Sequence, residues 1–379
     1  MYLDNAATTQ IREEVILKMV EVMKETYGNP SSIHSFGRSA KTLIEQARKT
    51  VAGILKVAPS EIIFTSGGTE ADNLVLNSAV RDLGVKRIIT SKMEHHAVLY
   101  TINQLKEEYD INVEYLKLDN CGNQDLDHLE ELLSSSEEKT LVSLMHVNNE
   151  VGNLLNIKKV GELCKNHKAL FHSDTVQSVG HFDLDLSEIH IDFTAVSAHK
   201  FHGPKGVGFA FIRKKSGLQP LIFGGEQERG YRAGTEAVHN IVGLEVALKL
   251  FYQNLAEERE FITSLKRHFV DLIQKEIPGV KLNGSCDDFE NSTYTLINVC
   301  LPVSEEKAMM LLFQLDLKGI ACSKGSACQS GSEGGSHVLN AFLSEEDLKK
   351  PSLRFSFSRY NTKEEIEYVV EVLKEFIEK

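Results

Sequence analysis

Short apolar runs separated by longer stretches with helical spacing fill the chain from Arg12 to Ile212. Seven of these runs read as strands: Glu61 to Phe64, Arg87 to Thr90, Val113 to Leu118, Thr140 to Met145, Ala169 to Asp174, Asp192 to Val196 and Gly206 to Ile212. Between Ser39 and Leu55 the apolar residues Leu43, Ile44, Ala47, Val51, Ile54 and Leu55 recur with a helical period and make one apolar face. Strand and helix segments in alternation imply an α/β protein with a largely parallel sheet covered on both faces. After a helical stretch from His239 through Gln274 the pattern changes. A strand at Thr295 to Leu301, a helix at Ser304 to Leu317, a Gly/Ser-rich segment from Ser323 to Ser336, a strand at Ser352 to Ser356 and a closing helix from Thr362 read as a smaller α+β domain.

A chain of 379 residues is long enough for two domains to enclose a substrate cleft. No apolar run approaches the ~20 residues that cross a bilayer, and Met1 to Gln10 carries no basic and apolar leader pattern, so the expectation is a cytoplasmic protein away from the membrane. A formal net charge of -12 argues against a broad nucleic-acid surface and favours small molecules and proteins as partners. The six cysteines are scattered without a Cys-x-x-Cys pair, which points to thiols rather than to a disulfide framework.

Three segments carry candidate chemistry. Thr65-Ser-Gly-Gly-Thr69 follows a strand and opens a helix at Glu70, which offers backbone N–H groups and the Thr69 hydroxyl to an anion; a plain strand-to-helix turn capped by Thr69 has the same pattern. Ser197-Ala-His-Lys200 ends a strand where α/β sheets open their ligand crevice, a place from which a desolvated lysine forms Schiff bases. Asp174 and Gln177 end another strand on the same side, and a carboxylate there either caps a helix or holds a pyridine nitrogen protonated. His199 and His202 have a pair spacing, but no cysteine or carboxylate completes a ligand set, so no metal is expected. Cys328 is embedded in the Gly/Ser-rich segment, whose glycines leave the backbone free.

Four longer motifs occur in order: Gly28-Asn-Pro-Ser-Ser-Ile-His34, His146-Val-Asn-Asn-Glu-Val-Gly152, Ser197-Ala-His-Lys-Phe-His-Gly-Pro-Lys-Gly-Val-Gly208 and Gly325-Ser-Ala-Cys-Gln-Ser-Gly331. Together they resemble the NifS/IscS-type cysteine desulfurases, and the similarity runs from Leu3-Asp-Asn-Ala-Ala-Thr-Thr9 to Arg354-Phe-Ser-Phe-Ser358. The resemblance implies the fold of aminotransferases that use pyridoxal 5'-phosphate (PLP), fold type I, with a large domain over 13–255 and a small domain made of 1–12 and 256–379, working as a homodimer. It implies that Lys200 holds the cofactor, that His95 stacks on the pyridine ring, that Asp174 pairs with the ring nitrogen, and that Gln177 and Asn149 address the phenolic oxygen. The phosphate falls to Gly68, Thr69, Ser197 and His199, with Thr235 arriving from the neighbouring subunit. Arg354, helped by Asn29 and Asn149, would grip the carboxylate of L-cysteine, and Cys328 would accept its sulfur.

The glycine-rich setting of Cys328 resembles the long-loop class, in which a persulfide is carried outward to acceptor proteins for iron–sulfur cluster assembly or tRNA thiolation. Cys322 is read as packing. Glu226, Ala233, Lys324 and Gln10 depart from the usual family pattern without removing a catalytic group. An aminotransferase or β-eliminating lyase on the same scaffold is the alternative enzyme, and a catalytically idle scaffold that binds sulfur-transfer partners is the alternative of another class.

Overall fold

The computed structural model describes residues 1–325 and 335–378. Seven strands form the main sheet: β1 (Ile62–Thr65), β2 (Arg87–Thr90), β3 (Asn112–Tyr115), β4 (Thr140–Ser143), β5 (Leu170–Asp174), β6 (Phe193–Ser197) and β7 (Gly208–Ile212). Their order is β1-β7-β6-β5-β4-β2-β3. Neighbours from β6 out to β3 are parallel, while β7 is antiparallel to both β6 and β1. Eight helices accompany this part of the chain and its continuation: α1 (Glu13–Glu25), α2 (Ser35–Ile54), α3 (Gly68–Arg81), α4 (His96–Tyr109), α5 (Leu126–Ser134), α6 (Ile157–Asn166), α7 (Val238–Gln253) and α8 (Leu255–Glu276).

Alternate strand residues feed two cores. Ile62, Phe64, Phe209 and Phe211 join Ile44, Val160 and Ile241 from α2, α6 and α7, whereas Ile63, Ala195, Ala210 and Ile212 join Leu74 and Ile102 from α3 and α4. Covering both faces is why these strands read as continuous apolar runs. Phe171, Phe209 and Phe211 are fully buried, and each such side chain contributes roughly 1.5–3 kcal/mol relative to exposure.

A second, antiparallel sheet has the order β10-β9-β8, from β8 (Lys281–Leu282), β9 (Leu296–Cys300) and β10 (Ser352–Ser356). Phe269 of α8 packs on Phe355 of β10, and Ile366 and Val370 of the closing helix Lys363–Glu378 belong to the same core. The first twelve residues tie the two sheets together. Leu3 N–H donates to the Ala321 carbonyl and accepts at its own carbonyl from Ser356 N–H, while Thr9 and Arg12 N–H donate to the carbonyls of His199 and His202.

Several elements differ in extent from expectation. The α2 helix begins at Ser35, four residues early, because the His34 ring accepts a hydrogen bond from Gly37 N–H and caps it. The stretch from His239 to Gln274 is two helices, broken at Asn254, whose φ of -113° and ψ of 11° leave the helical region. The strand expected to reach Leu118 stops at Tyr115, since Leu118 instead pairs with Gln124 around a turn at Asp119 to Gly122. Glu305–Ala308 and Leu311–Leu317 replace the single helix expected over Ser304 to Leu317. Among the described residues no helix is long and apolar enough to cross a membrane.

Candidate active site

The carboxyl ends of the parallel strands converge on a cavity of about 210 Å3, where an open α/β sheet places its ligand crevice. Ten of the residues singled out in the sequence surround it: Gly68, Thr69, His95, Asn149, Asp174, Gln177, Ser197, His199, Lys200 and Arg354. Asp174 is the last residue of β5, Ser197 the last of β6, and Lys200 closes the single 3₁₀ turn Ala198–Lys200 that follows. His95 caps the N-terminus of α4 and Gly68 begins α3.

Helix α3 starts at Gly68, two residues ahead of the expected Glu70, with Gly67 as its N-cap and no side-chain cap. Thr69 therefore does not cap the helix and stands at the cavity. The first N–H groups of α3 have no acceptor inside the helix, which makes this end a natural anion seat. A Cβ on Gly68 would lie 2.5 Å from Val176 Cγ2, so only glycine lets this backbone approach so closely. Glu70 reaches back to accept from Ser66 N–H at 2.9 Å and steadies the turn.

Lys200 Nζ donates to the carbonyls of Ala6 at 2.6 Å and Ala7 at 2.9 Å. Gln177 Nε2 donates to the same Ala6 carbonyl at 2.9 Å. The N-terminal segment is thus the platform on which the lysine rests. Asp174 accepts from Val176 N–H at 2.8 Å. Burial lifts its carboxyl from an ordinary 3.8 to about 6, opposed by that N–H and by the charge of Lys200. His95 Nδ1 accepts from Ala97 N–H at 3.1 Å, which fixes the ring and puts the proton on Nε2. Burial and the nearby Lys200 charge hold this imidazole down at about 4, and burial does the same for His199, so both are neutral at pH 7.

Arg354, on β10, brings the small sheet to the cavity. It is 1% exposed, donates through Nη1 to the Asn149 carbonyl at 2.7 Å and through Nη2 to Asp4 Oδ1 at 2.9 Å, and leaves Nε without a protein acceptor. A buried guanidinium with N–H groups to spare is suited to a ligand carboxylate. Ser323 pairs with Arg354 through both backbone groups and donates from its hydroxyl to Asp4 at 2.8 Å.

Three expected residues stand apart. Cys328 lies outside the described residues. Thr235 and Asn29 are exposed and do not line this cavity. The sequence reading missed Asp72, which lines the cavity from α3 and sits 3.3 Å from His172 of β5, both side chains buried. Its signal was an acidic residue on an apolar helix face, with Val75 and Leu76 three and four residues on. Also missed were Asp4 and the Ala6 and Ala7 carbonyls, since carbonyl roles leave no side-chain mark. Cys322 is half-buried and its thiol is pushed up to about 12 by burial and Asp4, so it stays protonated at neutral pH.

These groups fit PLP. An amine, a buried carboxylate, a neutral imidazole and a helix N-terminus are of the kinds that fit its carbonyl, ring nitrogen, ring face and phosphate, and Arg354 brings a guanidinium to the same cavity for a carboxylate-bearing ligand. Residues 1–369 match the family described as aminotransferase class-V. The cysteine desulfurase IscS of Dictyoglomus turgidum is 42% identical, the alignment covering 100% of this chain and 95% of that protein. A putative cysteine desulfurase, IscS 1 of Bacillus subtilis, is 43% identical over 99% of this chain and 98% of its own. The solved structure of a NifS-like protein superposes with a TM-score of 0.90 at 34% identity, covering 100% of this chain and 99% of that one. The chain belongs to the aminotransferase class-V family and, within it, to the cysteine desulfurases, whose cofactor is pyridoxal 5'-phosphate.

Proposed function

We propose that the protein is a PLP-dependent cysteine desulfurase that converts L-cysteine to L-alanine and leaves a persulfide on Cys328. The observation that carries this reading is the meeting of Lys200 and Arg354 in one cavity, with Ser323, which pairs with Arg354, only five residues before Cys328. Arg354, helped by Asn29 and Asn149, binds the substrate carboxylate, and Lys200 takes the Cα proton. Bound PLP supplies the electron sink that makes this proton acidic. Asp174 keeps the ring nitrogen protonated, His95 covers the ring face, Gln177 and Asn149 answer the phenolic oxygen, and Gly68, Thr69, Ser197 and His199 receive the phosphate. The Cys328 thiolate then attacks the substrate sulfur: the new S–S bond forms as the S–Cβ bond breaks, the electron pair left on Cβ takes up a proton, and Lys200 returns a proton to Cα to give alanine.

A homodimer with Thr235 reaching into the partner's phosphate site belongs to this reading. In its favour, Leu17, Met23, Tyr27, Ile33, Phe36 and Phe223 are all exposed, more large apolar surface than a monomer needs to show. A phosphate on this chain alone would also meet only N–H groups, hydroxyls and a neutral imidazole at that end. We further propose the division into 13–255 and 1–12 with 256–379, a cytoplasmic location, and delivery of sulfur to an iron–sulfur scaffold or a tRNA-thiolation enzyme. Mass spectrometry of the protein after one turnover with L-cysteine tests the central step: added sulfur on the peptide containing Cys328 supports it, and sulfur on another cysteine or on none overturns it.

A further inference from the structure

Apart from the cavity, a tightly built polar cluster surrounds Glu228. Its carboxylate is buried and accepts from Arg48 twice, Nη1 to Oε2 and Nη2 to Oε1, each at 2.7 Å. Oε2 also accepts from Phe64 N–H of β1 at 2.7 Å. Arg48 is equally buried, donates to the Ile62 carbonyl at 2.7 Å and to Glu45 at 3.0 Å, and lies 4.8 Å above the Phe64 ring. Glu228 and Arg229 both take left-handed backbone angles, φ 45° and φ 60°. Two successive side-chain-bearing residues hold that conformation only where their surroundings over-determine it.

This clamp fixes the base of an arm, residues 224–235. Farther along the arm, Arg232 Nε donates to Glu70 at 2.9 Å and Gly234 N–H to Gln227 at 3.1 Å. The arm is thereby shaped before it meets anything, and it ends at the exposed Thr235. The cleft beside it, about 740 Å3, is bounded by Pro30 and Ser31, next to Asn29. Glu236, the neighbour of Thr235, lines the same cleft, so the chain neighbours of both Asn29 and Thr235 border it.

We propose that Glu228, gripped by Arg48, is a positioning residue that holds the arm in the shape with which Thr235 completes the phosphate site of a second copy of the chain. The inference rests on the dimeric PLP reading above. A buried charge pair of this kind is an expensive way to fold a loop and an effective way to fix one geometry.

The test uses the double variant Arg48→Met with Glu228→Gln, which removes the ion pair together with its charges while Gln still accepts from Phe64 N–H. As a homodimer it is expected to sediment like the parent and to bind PLP about tenfold more weakly, the size of one lost charge-assisted contact. In a doubly tagged heterodimer with a Lys200→Ala chain, the site that retains Lys200 is served by an intact arm, and PLP affinity there, read from the absorbance of the covalently held cofactor, is expected to return to the parental value. Weak binding that persists in the heterodimer means the clamp acts within its own subunit and overturns the proposal; so does parental affinity in the homodimer. Should the double variant not fold, Arg48→Lys, which keeps the charge and loses the fork, is expected to show a smaller loss with the same rescue, and no loss or no rescue overturns the proposal. Thr235→Val separates the two claims: parental PLP affinity in that variant removes the underlying reading of Thr235, whereas a loss there with none in the clamp variants removes only the role of Glu228.

Discussion

Replacing Asp174 by Asn should make the cofactor-free protein more stable, by an amount that depends on pH. Burial raises the carboxyl from 3.8 to about 6. A group whose folded value lies above its unfolded value contributes stability that is complete below the unfolded value and is lost as pH rises through the folded one. For Asp174 that window runs from about pH 4 to somewhat above 6, and at ~1.4 kcal/mol per pH unit the ionised carboxylate costs the apoprotein about 3 kcal/mol at pH 7.5. Asn has the same shape, keeps an oxygen for Val176 N–H and carries no charge. Denaturant unfolding of the apoproteins at pH 4.5 and 7.5 is the assay. The variant should exceed the parent by about 1 kcal/mol at the lower pH and by about 3 kcal/mol at the higher one, while its PLP affinity falls. Equal stability at both pH values, or a less stable variant at pH 7.5, would refute the claim that this carboxylate is held ionised at the expense of the fold for the sake of a cationic partner.

Further outcomes follow from the same site. Lys200→Ala should bind PLP without covalent attachment, seen as a changed absorbance of the bound cofactor, and turnover should fall by at least ~10²-fold, the usual contribution of a positioned proton carrier. Cys328→Ala should keep parental PLP affinity and bind L-cysteine, yet form no persulfide by mass spectrometry. Arg354→Lys keeps the charge but loses the planar fork that meets Asn149 and Asp4, so KM for L-cysteine should rise by roughly 10- to 100-fold with a smaller change in kcat.

Much of this was legible in the residues before any coordinates. Strands apolar along their whole length announced a sheet covered on both faces, and Asp174, Ser197 and Lys200 stood at strand ends where a ligand crevice opens. The antiparallel direction of β7 was less visible, although only ten residues separate it from β6, from Ala198 to Val207, too few for a crossover helix. The edge position of β1, beside β7, depends on contacts far apart in the chain and leaves no local pattern. Within the site, side chains with distinctive chemistry could be named in advance, but the Ala6 and Ala7 carbonyls beneath Lys200 could not, because any residue type provides a carbonyl. Glu228 escaped notice for a related reason: an acidic residue between Gln227 and Arg229 looks solvated in sequence, and only its pairing with Arg48, 180 positions earlier, shows it to be buried.

The most direct test of the whole account is the product balance of the PLP-loaded protein given L-cysteine and a thiol reductant, with alanine, sulfide and pyruvate measured in the same reaction. Alanine and sulfide in equal amounts, without pyruvate, are the predicted result; pyruvate and sulfide without alanine would show β-elimination and contradict the role given to Cys328.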